Sequence, residues 1–136
     1  YEGTTQLQVV AAVRYITNGT YSNIIDDMMK EEVAEAFAPL KSRVGKMFEL
    51  YKESVACVKE QGNQEFQDFL ARRLYDMTAE IIMSLLLIQD AGKAPEMFGK
   101  SANVYVRMAE EDVVGKSSYV KDFTVEDLAS FRAVEA

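Results

Sequence analysis

Apolar residues recur along most of the chain at steps of three and four, the spacing of one helix face. The clearest series is Phe66, Leu70, Leu74, Met77, Ile81, Leu85 and Ile88, with Phe69, Ile82 and Leu86 widening it almost all round the second half. It predicts a long, heavily buried helix from about Gln64 to Asp90, stopped by Ala91-Gly92. Upstream, Leu40, Val44, Met47, Tyr51 and Val58 trace a second stripe, broadened by Phe48, Leu50 and Val55, with Lys46, Lys52, Glu53 and Lys59 on its wet side. Pro39 suits the start of that helix and Gly62-Asn63 its end. So short a turn makes the two helices antiparallel neighbours.

Pro95 opens a third long helix in which Phe98, Ala102, Tyr105, Met108 and Ala109 keep helical period, with Gly115 marking fraying or the end. Toward the N-terminus, Leu7, Val10, Ala11, Arg14 and Tyr15 predict a helix over Thr4–Thr17, closed by Asn18-Gly19. Ser22 can cap a short segment holding Ile24, Ile25, Met28 and Met29, with Asp26 and Asp27 near its positive end. Thr124 heads a short terminal helix whose first turn carries Glu126 and Asp127. Val104-Tyr105-Val106 favours a strand locally, but it is embedded in helical spacing and no alternating partner exists. The expected fold class is all-α: an antiparallel bundle of three long helices plus an N-terminal helix and short terminal pieces.

Composition narrows the chemistry. With 136 residues and 49% hydrophobic content the chain can bury a core. Its 15 basic and 22 acidic residues leave a formal charge of −7, which supplies no attraction to nucleic acid or anionic lipid. There is no His, so Ser-His and Cys-His catalysis, His-ligated metals and the Glu-x-x-His pairs of di-metal bundles are all excluded within these residues. No calcium-loop spacing occurs, and no metal site is expected. Cys57, the single cysteine, reads as a small buried hydrophobe, and a chain without disulfides suits a reducing cytoplasm. The apolar run Ile81–Ile88 is far shorter than the roughly 20 residues of a membrane span. No secretory leader is visible.

The chemistry concentrates at the opening octet, Tyr1-Glu2-Gly3-Thr4-Thr5-Gln6-Leu7-Gln8. Physically it is a helix entrance. Gly3 lets a ligand approach the main chain, and Thr4 or Thr5 supplies the N-cap. The free N–H groups of the first turn favour an anion, and Glu2 stands just outside them. An ordinary capped helix start with a solvated Glu satisfies all of this. Tyr1-Glu2-Gly3-Thr4, then Gln6 and Gln8, then Leu7-Val9-Val10 and Arg14, also resembles the late active-site motif of flavin-dependent acyl-CoA dehydrogenases. The match covers about a tenth of the chain. The further helices look like the extra C-terminal domain of certain bacterial members.

That resemblance implies specific roles. Glu2 would be the base that removes the proton next to the thioester carbonyl, while FAD takes a hydride from the following carbon. Gly3 would lie against the thioester region of acyl-CoA, and Thr4, Thr5 and Gln6 would contact FAD across a subunit boundary. Residues 1–20 would end the dehydrogenase core and residues 21–136 would form the helical bundle domain. An acyl-CoA substrate, an electron-transfer acceptor and a homo-oligomer follow as the parent's partners. Since no initiator Met precedes Tyr1, the chain is expected to be a fragment, inactive by itself and binding no FAD. The competing reading is a non-catalytic helical protein-interaction module with an exposed apolar groove for a partner helix.

Overall fold

The computed structural model describes residues 2–135, and side chains from Gln8 to Ser130. Six helices follow one another: α1 Glu2–Thr17, α2 Thr20–Met29, α3 Ala38–Glu60, α4 Gln64–Lys93, α5 Pro95–Asp122 and α6 Val125–Glu135, with a 3₁₀ turn at Glu35–Phe37 ahead of α3. No strand occurs among the described residues. The bundle is all-α, as the apolar spacing predicts.

Cross-helix pairs set the directions. Arg43 meets Glu110 at 2.5 Å and Glu53 meets Lys121, so α3 and α5 run parallel. Tyr51 reaches Thr78 and Lys116 reaches Asp76, which places α4 antiparallel to both. The turns are short because each has a dedicated device. Gly62 takes φ +59° after α3, a left-handed conformation that costs a glycine nothing. Asn63 then caps α4, its side-chain oxygen accepting the Phe66 N–H at 3.0 Å. Pro95 stands in the first turn of α5, where its missing N–H has no helical partner to lose. Thr124 and Asp127 exchange side-chain-to-backbone bonds of 3.0 and 3.1 Å, a reciprocal cap that starts α6.

The core fills as the long stripes require. Leu40, Val44, Met47, Tyr51 and Val58 of α3 are buried, and all seven positions from Phe66 to Ile88 in the α4 series are buried too. On α5 the buried seam is made of small residues: Gly99, Ala102, Val106, Ala109, Val113 and Ser117. Met108, expected inside, is 57% exposed. Small side chains let α5 lie close to α4 and α3, so bulkier neighbours on the helix are turned outward. Most buried hydroxyls are paired, while that of the fully buried Ser84 has no partner among the described residues. Ser54 and Ser117 lie 2.8 Å apart, and Tyr51 and Thr78 lie 2.9 Å apart.

Several boundaries and faces differ from expectation. α4 continues through Gly92 to Lys93, because Ala91 is buried and Gly92 packs beside Ala34. α5 continues through Gly115 to Asp122. Glycine weakens a helix interior by about 1 kcal/mol, which the buried Val113, Ser117 and Val120 around it outweigh. α2 begins at Thr20, since the Asn18 side chain accepts the Thr20 N–H at 3.0 Å and Gly19 turns the chain at φ +89°. Asp26 and Asp27 therefore fall in its second half, both exposed. On α1 the buried face is Val9, Val13 and Ile16, whereas Tyr15 is half exposed. The run Val9-Val10-Ala11-Ala12-Val13 is apolar on adjacent faces, so spacing alone does not select one.

Replacing Ile81, fully buried in α4, by Ala should lower the unfolding free energy by about 2–5 kcal/mol. Removing the α4 cap with Asn63→Ala should cost about 1 kcal/mol. Urea titration of the chain reads both. A larger loss at 63 than at 81 would contradict a core centred on α4.

Candidate functional site

The helix carrying the opening motif is anchored by its second half. Val9, Val13 and Ile16 of α1 are at most 3% exposed and belong to the same core cluster as α3, α4 and α5. The helix already includes Glu2, so Thr4 and Thr5 occupy its first turn rather than its cap. The side chains of Glu2, Gly3, Thr4, Thr5 and Gln6 lie outside the described residues, as does that of Phe131. Seven residues separate Glu2 from Val9, about 10 Å of helix at 1.5 Å per residue. Their backbone thus rises directly from a helix fixed to α4.

Where α1 and α2 cross α4, an apolar cleft of about 270 Å³ opens between Ile16, Tyr21, Tyr75, Ile82 and Met83, with Thr78 at its inner side. Only its inner side is buried: Tyr75 and Met83 are 40% and 47% exposed. The sequence pattern misses this cleft because it joins three elements, and its residues sit on the flanks of their stripes.

A second feature lies on the seam between α4 and α5. The Lys116 ammonium contacts Asp112 at 2.5 Å and stands 4.0 Å from Asp76. The Glu80 carboxyl adjoins that of Asp112, and its Oε1 is enclosed without a donor from another group. Burial, and then the adjoining Asp112, push Glu80 up to about 8. Asp112 is held below its ordinary value, first by the hydrogen bond from Glu80 and then by Lys116. Burial raises the nearby Tyr105, and the charges of Glu80 and Asp112 raise it further. A carboxyl that keeps its proton beside an ionised one is the arrangement that results when two acids share a poorly solvated site. Three carboxylates i, i+4 and across one seam could have been found in the sequence only with the α4–α5 register in hand.

Other candidates disperse. Asp26 and Asp27 are exposed on neighbouring faces, Asp27 pairing with Lys30 at 3.7 Å. Cys57 is half-buried rather than fully enclosed. Among the described residues no three His, Cys, Asp or Glu side chains converge to hold a metal ion. No described helix is long and apolar enough to cross a membrane. The apolar cleft is smaller than the roughly 300–1,000 Å³ of ordinary ligand sites, and the larger hollows beside Ser42 and beside Ser118 are open to solvent.

Residues 17–128 match the family model described as acyl-CoA dehydrogenase C terminal, which is most of the chain. The chain belongs to that family. It is also similar to the crystal structure of an acyl-CoA dehydrogenase family protein from Porphyromonas gingivalis. The two are 36% identical with a TM-score of 0.76, over 84% of this chain and 98% of that one. No curated protein matches in sequence. The residues matched by the family model run from Thr17, at the end of α1, to the first turn of α6.

Proposed function

We propose that the chain is the C-terminal part of an FAD-dependent acyl-CoA dehydrogenase, in which residues 1–20 end the catalytic core and residues 21–136 form the appended bundle. The family match over residues 17–128 carries this reading. The order Tyr1-Glu2-Gly3-Thr4 immediately upstream in the sequence supports it, with Glu2 onward on one continuous helix. Because Val9, Val13 and Ile16 are buried in the bundle's own core, motif and bundle are joined by packing as well as by the chain.

In the proposed reaction the carboxylate of Glu2 removes the proton on the carbon next to the thioester carbonyl. Such a proton is weakly acidic, so the base must be placed against it and stripped of water, which raises its proton affinity. Gly3, lacking a side chain, would leave the thioester free to approach the backbone. Thr4, Thr5 and Gln6 would offer hydroxyl and amide groups to FAD. The flavin itself would be held chiefly by the remainder of the parent core. We assign the parent to the cytoplasm, acting as a homo-oligomer with an electron-transfer acceptor.

A helical protein-interaction module is the second reading, and the apolar cleft beside Tyr75 and Met83 is the observation in its favour. The two readings differ in what Glu2 does. The purified chain should carry no yellow cofactor and oxidise no acyl-CoA; stoichiometric flavin on it would overturn the division of labour. In the longer enzyme, Glu2→Gln should lower kcat by about 10²–10⁴ while FAD content stays unchanged. Turnover that survives the substitution would remove Glu2 from the mechanism and leave the module reading.

A further inference from the structure

We propose that Glu80 and Asp112, together with Lys116, form a proton-dependent clasp that closes α5 onto α4. The geometry carries it. Glu80 and Asp76 project from successive turns of α4, and Asp112 and Lys116 from successive turns of α5, so four ionisable groups meet on one seam. Tyr105, one helical repeat before Asp112, closes the same face. Asp76 has a further neighbour in Arg72, at 3.6 Å on its own helix. With every acid ionised, three negative charges would surround the single ammonium of Lys116. Lys116 is already engaged by Asp112 at 2.5 Å, which leaves Glu80 without a cation of its own.

A proton on Glu80 resolves this. The protonated carboxyl donates to Asp112, converting a repulsive pair into a charge-assisted hydrogen bond that crosses from helix to helix. The enclosed Oε1 of Glu80 is tolerable on a neutral acid and costly on an anion. Deprotonation therefore acts against the seam through repulsion from Asp112 and through the cost of enclosing a charged oxygen.

The sign of the pH dependence follows from linkage. In the unfolded chain Glu80 ionises at its ordinary value of 4.5, whereas in the fold it keeps its proton to about 8. Between those values the folded chain holds the extra proton, so raising the pH favours opening. The contribution is complete below the lower value and lost once the pH has passed the upper one. Asp112, shifted downward, acts oppositely and only in acid, its contribution disappearing as pH falls through its folded value.

Urea midpoints of the full chain, measured from about pH 5 to about pH 9, test the clasp. The wild-type midpoint should fall as pH rises, relative to Glu80→Gln, which keeps a neutral donor at every pH. The variant should be the more stable of the two at the alkaline end. Parallel profiles would overturn the proposal. Should Glu80→Gln fail to fold, the carboxyl ¹³C resonance of Glu80 in the wild-type chain decides. A midpoint near 8 supports the clasp, and one in the ordinary carboxylate range refutes it. Asp112→Asn should move that resonance's midpoint downward, and an unmoved midpoint would refute the pairing.

Discussion

The smallness of the residues along one edge of α5 is the constraint on which the bundle depends. Gly99, Ala102 and Ala109 present almost no side chain on the buried edge, which favours close packing of the helix against its neighbours. The ring of Phe37 packs 3.5 Å from where a Cβ on Gly99 would stand. Bulky residues have no room on that edge, and Met97, Val104 and Met108 consequently face outward. The same tight seam brings acids on two helices into contact, which is why Glu80 and Asp112 share one environment. Packing and electrostatics here have a common origin.

This explains which parts of the fold were legible in the chain. The α3 and α4 stripes are long, regular and made of large apolar residues, and their positions were readable from spacing. The α5 face was readable in part: Ala102 and Ala109 are buried and Phe98 and Tyr105 pack partly against the core, whereas Met108, at the same helical period, faces outward. Periodicity reports that a face exists, while the neighbour's shape decides which one is buried. α1 shows the same ambiguity through its unbroken valine and alanine run. Gly92 and Gly115 failed as stop signals because tertiary contacts around them outweigh a weak local preference.

Candidate sites stood out, or failed to, for different reasons, and the role of Glu2 is a proposal. Glu2 and its neighbours stood out because the residue types are unusual in that order, and the family match begins just where their helix ends. Nothing in the local sequence marks Asp76, Glu80, Asp112 and Lys116, which read as ordinary wet-face charges until α4 and α5 are brought side by side. The cleft at Ile16, Tyr21 and Tyr75 is a product of assembly in the same sense. The lack of His, by contrast, disposes of whole classes of chemistry on composition alone.

The hydroxyls buried between helices carry a mechanical implication. Ser54 meets Ser117, and Tyr51 meets Thr78, each at a single register of α3 against its neighbours. Sliding α3 by one turn would break both pairs and leave the buried Tyr51 hydroxyl without its partner, while Ser54 and Thr78 keep their bonds to the Leu50 and Leu74 carbonyls. Gradual shear is therefore a poor mode of motion for these helices. The three long helices should instead tilt or translate as one stiff block, and α1, embedded in that block, would be carried with it.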